Sequence, residues 1–442
     1  MRTPLLRLFL SGAASVVLLA SCGGGDVSPN SGEVRLVNAT SEFGALDLYE
    51  DSDRLTPGVA AFATGNYEDL NKGDYTFSVR GGVAGATIAT LDASAPKNTH
   101  LAIVAYSNGG TPTLTMIDEE EDDPDKGSAK LRFFHTAATD SGSVDIYLLD
   151  IATACSSLVG NPATPIATGV SGLQTAFTTI NPSPAAGYRL CVTAASDKAD
   201  VRLDTALVVG DRQVVTVIMS RTSGVLLNGL VLVQQGALTQ ALNTSARVRL
   251  AVGVTAGNTV TASVGAVSLG LGAVPRTVTS YKLVPSGTVT ADVAISGGTS
   301  VPTSLALVGG ADYTLLVAGT SATPTLIPDN NSLSTNTAKP VKIRVVNGAN
   351  GALTGTLGPA LLTVGSTLLD STEFTAASPY VFVESSTATA ILFDVRTTNN
   401  TVFCTSTSTL PAAPSVFTVF VLGDAPAQLP ATPPVCLLRA DR

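Results

Sequence analysis

The sequence predicts an all-β chain made of four antiparallel β-sandwiches in tandem. Three observations carry that prediction. The first is a pattern that occurs four times: EVRLVNA from Glu33, KLRFFHT from Lys130, RVRLAVG from Arg247 and KIRVVNG from Lys342. In each, a charged residue, an aliphatic one and an arginine (Arg35, Arg132, Arg249, Arg344) alternate, the period-two signature of a strand with one wet and one buried face. The second is spacing, because these arginines recur at intervals of roughly a hundred residues, the size of a domain. The third is composition. Hydrophobic residues form 45% of the 442-residue chain and charged ones 13%, which excludes disorder over most of its length. Short runs rich in threonine, valine and serine, divided by Gly, Pro, Asn and Asp, suit strands and turns, and no capped helical pattern follows the N-terminal region.

The N-terminal elements read separately. Arg2 and Arg7 precede an uncharged apolar run, Leu8 to Ala20, with the length of a signal-peptide h-region. That run is too short to span a hydrocarbon core of ~30 Å. Leu19-Ala20-Ser21-Cys22 resembles the lipobox of bacterial lipoproteins, in which the cysteine is diacylated and becomes the first mature residue. An ordinary secretory peptide with an incidental cysteine is the competing reading. Each buried methylene contributes ~0.8 kcal/mol, so two or three chains on Cys22 would anchor the protein stably. Residues 1–21 are thus expected to be a lipoprotein signal peptide and residues 22–32 a flexible tether, with three glycines behind the cysteine. The expected location is the cell envelope. Gly23 stands where an aspartate would resemble an inner-membrane retention signal, which favours the outer membrane.

The modules are expected at 33–127, 128–245, 246–339 and 340–442, each with about seven strands. After the first strand come GALDLY (Gly44–Tyr49), GSVDIY (Gly142–Tyr147), and weaker counterparts NTVTAS from Asn258 and GALTGT from Gly351. An aromatic follows in each copy (Tyr67, Phe177, Tyr281, Tyr380), and later a strongly apolar strand: HLAIVAY, VVTVIMS, YTLLVAG or FTVFVLG. The order of these landmarks resembles the bacterial domain-of-unknown-function family 4397, best in the second copy and faintest in the third and fourth, where Thr261 and Thr354 replace the aspartate. That resemblance implies immunoglobulin-like modules of exported, often lipidated proteins, and it brings no catalytic residues.

The other four cysteines face an oxidising compartment after export. Each module holds two of them or none, which favours Cys155–Cys191 and Cys404–Cys436 among the three possible pairings. A zinc site is the weaker reading, since no C-x-x-C spacing occurs and only His100 and His135 could supply imidazoles. His135 could bind metal or act as a base. Yet the equivalent places hold Asn38, Gly253 and Asn347, which points to a polar residue serving local backbone groups. Asp47 and Asp145 are expected to face solvent or the neighbouring arginine, and the tyrosines to pack on the core while their hydroxyls cap backbone groups. The run DEEEDDPD, Asp118 to Asp125, reads as a solvated linker, with Asp118, Glu120 and Asp122 as calcium candidates that lack the spacing of a calcium loop.

A net charge of −9 argues against nucleic acid. There is no G-x-S-x-G elbow and no H-E-x-x-H, and two histidines leave few places for a triad. The expectation is a non-catalytic protein with a structural, adhesive or binding role and no cofactor. Its membrane contact would be the lipid on Cys22, and its partner an envelope polysaccharide or another protein. The alternative is an envelope hydrolase using paired carboxylates.

Overall fold

The computed structural model of the chain describes residues 31–81, 85–172, 174–334, 336, 338–350, 360–364, 367–372, 375–384, 391–397, 402–408, 414–424 and 435–442. Among these the regular secondary structure is almost wholly strand, with one helical turn at Ala138–Ser141 and one 3-10 turn at Cys155–Leu158. No described helix is long and apolar enough to cross a membrane. Residues 1–21, expected to be a signal peptide, and Cys22 lie outside the described residues.

In the first module eight strands follow one another: Ser31–Asn38, Leu46–Glu50, Asp53–Val59, Glu68–Asn71, Gly73–Arg80, Thr87–Ala95, His100–Asn108 and Thr111–Asp118. A two-residue strand, Ala63–Thr64, also pairs with the first. The fourth, first, seventh and eighth strands make one sheet; the third, second, fifth and sixth make the other. The same order recurs in each later module, whose first strands are Ala129–His135, Ser245–Val254 and Val341–Asn350. An extra strand, Leu238–Ala241, extends the first sheet of the second module. In every module the first strand runs parallel to the seventh, while the other strand pairs are antiparallel. The sandwich core lies between the two sheets, with Val34, Leu36, Phe77 and Ile103 among its buried residues in the first module.

Two expectations shift at module edges. The first strand begins at Ser31, inside the expected tether, because Ser31 and Gly32 pair with Asn71 and Leu70. Glycine is required at 32, since a Cβ there would lie 2.5 Å from the Pro96 carbonyl oxygen. In the fourth module the strand that pairs with the third and fifth strands is Ala360–Val364, and GALTGT lies outside the described residues. Leu361, opposite Arg396, thus occupies the aspartate place, and Thr354 lies outside the described residues.

The modules associate in pairs. The outer face of the first-and-seventh-strand sheet in module 1 (Val37, Ala102, Val104, Ile117) packs on Phe134, Ile218, Leu230 and Leu232 of module 2. Modules 3 and 4 meet in the same way, with Ala251, Leu316 and Ile327 against Val346, Phe420 and Leu422. Both faces of this sheet are therefore buried, which explains the unbroken apolar runs of the seventh strands. The expected wet face of each first strand is an interface.

Candidate functional site

The four recurring arginines of the first strands, Arg35, Arg132, Arg249 and Arg344, lie within these paired interfaces. Arg35, Arg249 and Arg344 are almost fully buried, and Arg132 is half-buried. Each guanidinium stands over the aromatic of its own module: Arg35 over Tyr67 at 4.6 Å, Arg132 over Phe177 at 4.3 Å, Arg249 over Tyr281 at 4.6 Å and Arg344 over Tyr380 at 4.7 Å. In three modules the arginine Nε also donates to the threonine directly across on the seventh strand: Thr216 at 2.8 Å, Thr314 at 2.9 Å and Thr418 at 3.3 Å. Period-two alternation shows which residues share a face, not what covers it. The signal missed was the threonine inside VVTVIMS, YTLLVAG and FTVFVLG, a polar residue within a strongly apolar strand.

The carboxylates complete the arrangement differently in the two pairs. Arg249 of module 3 bonds Asp441 of module 4, while Arg344 of module 4 bonds Asp329 of module 3. Arg249 also lies 3.5 Å from Asp329. Burial opposes the Arg249 charge, but Asp441, Tyr281 and Asp329 outweigh it and raise its pKa. In the other pair Arg35 bonds Glu119 of its own module through Nε at 2.9 Å and through NH2. It also donates to the Val233 and Gly236 carbonyls of module 2. Among the described residues Arg132 donates to the Asp118 carbonyl, at 3.1 Å, besides its threonine. Burial lowers its pKa, and Asp118, Glu119 and Glu121 offset this in part.

The tyrosine hydroxyls do not cap backbone groups as expected. Tyr67 donates to Glu119 and Tyr281 to Asp329, both at 2.6 Å. Burial first, then the neighbouring carboxylate, raises both phenol pKa values. Asp47 and Asp145 likewise face neither solvent nor Arg35 and Arg132. Asp47 accepts from the Gly58 amide at 2.6 Å and from Arg54, and Asp145 from the amides of Gly169 and Ser196, each at 2.9 Å. Thr261 accepts from Gly272 at 3.1 Å in the same place. Gly58, Gly169 and Gly272 all have φ near 60°, so in modules 1 to 3 one polar side chain holds a left-handed glycine at the edge of the third strand.

His135 is buried, its Nε2 2.9 Å from the Gly142 carbonyl oxygen and 3.1 Å from Ser141 Oγ. Burial lowers its pKa. Asn38 serves the matching Gly44 carbonyl at 3.1 Å. The counterpart in module 3 is Val252, not Gly253, because it is Val252 that pairs with Val317 as Asn38 pairs with Ala105. Gly253 has another duty: a Cβ there would lie 2.2 Å from the Gly348 carbonyl oxygen of module 4.

The acidic run is solvated at Asp118, Glu120, Asp122, Asp123 and Asp125, but part of it is tied to the modules. Glu119 is buried against Arg35, Glu120 accepts from the His100 amide and faces its ring Nδ1, both at 2.6 Å, and Glu121 pairs with Lys130. Gln234 exchanges two hydrogen bonds with the Glu121 backbone. Asp118, Glu120 and Asp122 do not converge as metal ligands. Among the described residues the group of suitable donors is Cys155, Cys191 and Asp204, and there the two sulfurs are joined as a disulfide. Cys436 is also disulfide-bonded; the side chain of Cys404 lies outside the described residues.

The pairs are tied together around Asp140. Its carboxylate accepts from the Gly109 amide of module 1 at 2.8 Å and from Arg442 of module 4 at 3.1 Å, and lies 3.5 Å from Arg221 of module 2. Nearby, Lys342 donates to the Asn330 and Ser332 carbonyls at 3.0 and 2.8 Å. Burial first, then Arg221, Arg344 and Arg442, pushes its pKa down to about 8.

Two open clefts border module 2. One, of about 400 Å³, has Glu120 to Asp123 on one side and Arg212 to Gln213 with Val233 to Gln235 on the other. The second, of about 480 Å³, is uncharged and sits at the edge of the sandwich.

Comparison with known proteins gives one family. The model described as Domain of unknown function (DUF4397) matches residues 32–147 and 246–354. Each match opens in the first strand of one module and ends within the next, so it crosses the paired interface. No curated protein matches the chain.

Proposed function

From the premise that the chain belongs to the DUF4397 family, we propose that it is a non-catalytic, lipid-anchored scaffold of the cell envelope with an adhesive or binding role. The observation that carries this reading is where the recurring polar residues are spent. Arginine, aromatic, threonine and carboxylate hold modules together, and the aspartates hold turns. Such groups are consumed by architecture and are not presented to a substrate. Anchoring rests on the run ending in Leu19-Ala20-Ser21-Cys22, with the outer membrane favoured by Gly23. The partner proposed is an envelope polysaccharide or another protein.

Fractionation tests the anchor. The Cys22→Ser variant is expected in the soluble envelope fraction; retention on membranes in high salt would refute lipid attachment. Turnover assays with esters, peptides and glycosides test the rest, and no saturable hydrolysis is expected. One observation favours the hydrolase alternative, namely the acidic cleft at Glu120 to Asp123. Turnover abolished by Asp122→Asn or Asp123→Asn would establish it.

A further inference from the structure

We propose that the uncharged cleft of module 2 is a binding site for a neutral saccharide. The proposal deepens the binding role above by naming a place and a ligand class.

The cleft exists because module 2 departs from the common plan at two joints. Modules 1 and 3 join their second and third strands through residues 51–52 and 265–266, whereas module 2 uses residues 151–166. Modules 1 and 3 join the fourth and fifth strands through a single residue, Lys72 or Ser286, whereas module 2 uses residues 181–187. The first insertion supplies Thr164 and Ile166 to one wall, and the second begins at Asn181 on the other. Tyr188, at the start of the fifth strand, and Ser128, just before the first, complete the rim.

The walls are fixed in advance. The first insertion is joined to the fifth strand by Cys155–Cys191. Lys198 holds its middle by donating to the Asn161 and Ala163 carbonyls at 2.8 and 3.0 Å, and the Ile166 amide ties its end to the Ile146 carbonyl at 2.7 Å. Beneath the disulfide, Tyr147, Leu158 and Val201 form a small core of their own. A preformed cleft loses little conformational entropy on binding.

Its chemistry selects the ligand. None of its lining residues carries a charge. The floor is Leu148, Ile166 and Ile180, the fringe of the module core. Around it stand the side chains of Ser128, Thr164, Thr179 and Asn181, none of which has an intramolecular hydrogen bond among the described residues. Tyr188 donates to the Asn181 carbonyl at 3.1 Å, which leaves its phenol oxygen free to accept. Hydroxyl and amide groups that both donate and accept match sugar hydroxyls. The Tyr188 ring and the aliphatic floor match the apolar face of a pyranose. An anionic polymer would find no counter-charge there.

The test uses the soluble mature chain with six-unit oligosaccharides of glucose, galactose, mannose and N-acetylglucosamine, read by calorimetry and saturation-transfer NMR. An anionic oligosaccharide and an uncharged peptide serve as comparisons. At least one neutral oligosaccharide is expected to bind. Thr179→Arg, at an exposed position, should weaken that binding at least tenfold with an unchanged melting temperature, and Tyr188→Ala should do so too. Absence of binding by every neutral oligosaccharide, binding indifferent to Thr179→Arg, or preference for the anionic sugar or the peptide would overturn the proposal. Fractionation of Cys22→Ser is unaffected by any of these outcomes, so the anchored-scaffold reading fails or stands separately.

Discussion

One recurring arginine in each first strand links the sequence pattern to the architecture. Arg249 is buried with two carboxylates, so Arg249→Met leaves Asp441 without its cationic partner and Asp329 with Arg344 alone. Removing one member of a buried pair costs about 3–5 kcal/mol, and urea denaturation should show a loss of that size. Arg132→Met should cost about 1 kcal/mol, because that side chain is half-exposed and bonds only neutral oxygens. A second residue-scale prediction concerns pH. Lys342 has a folded pKa of about 8, below its ordinary value, so between the two the unfolded chain holds more protons and stability should rise with pH. Above about pH 10 the sign reverses, because Tyr67, Tyr281 and Tyr380 stay protonated only when folded. Denaturation midpoints across pH 7 to 11 should therefore show a maximum, and Lys342→Met should remove its rising limb. The arginines were legible as a repeat. Their burial was not, since a strand covered by a neighbour and one covered by water share the same alternation.

At the scale of the element, strands were more legible than joints. The first and seventh strands stand where alternation and apolar runs put them, whereas GALTGT misplaced the second strand of module 4. The polar residue that marks that strand elsewhere is Leu361 there, so the landmark itself is gone. The long joint 151–166 had only one legible anchor, the cysteine pair, which parity within modules assigned correctly. Bridging residues 36 apart stabilises by about 4 kcal/mol in the chain-entropy model. The double variant Cys155→Ser/Cys191→Ser should lose about that much, measured by thermal unfolding of the soluble chain, while the strand content seen by circular dichroism is retained.

For the whole molecule, the unit of stability is the pair of modules. Cutting a pair would expose Phe134, Ile218, Leu230 and Leu232 together, and a contiguous apolar face promotes association. Residues 128–245 alone should therefore self-associate in sedimentation velocity, whereas residues 31–245 should remain monomeric. Gly253→Val should loosen the other pair at its close crossing with Gly348. No sequence signal announced the pairing outright. It was latent in the seventh strands, whose apolar runs leave no face for water.

The parallel union of first and seventh strands also governs the order in which the protein can form. The Arg249–Thr314 bond spans 65 residues and the Arg132–Thr216 bond 84. Closing loops of that length comes before the contacts that reward it, so folding in milliseconds to seconds is expected for such a topology. A chain emerging from its N-terminus presents each first strand long before its mate exists. Four first strands of one pattern then compete for four seventh strands, and an early mismatch would trap an exchanged module. Divergence between the copies, down to Phe177 for tyrosine and Val252 for asparagine, makes the wrong partners fit less well than the right ones.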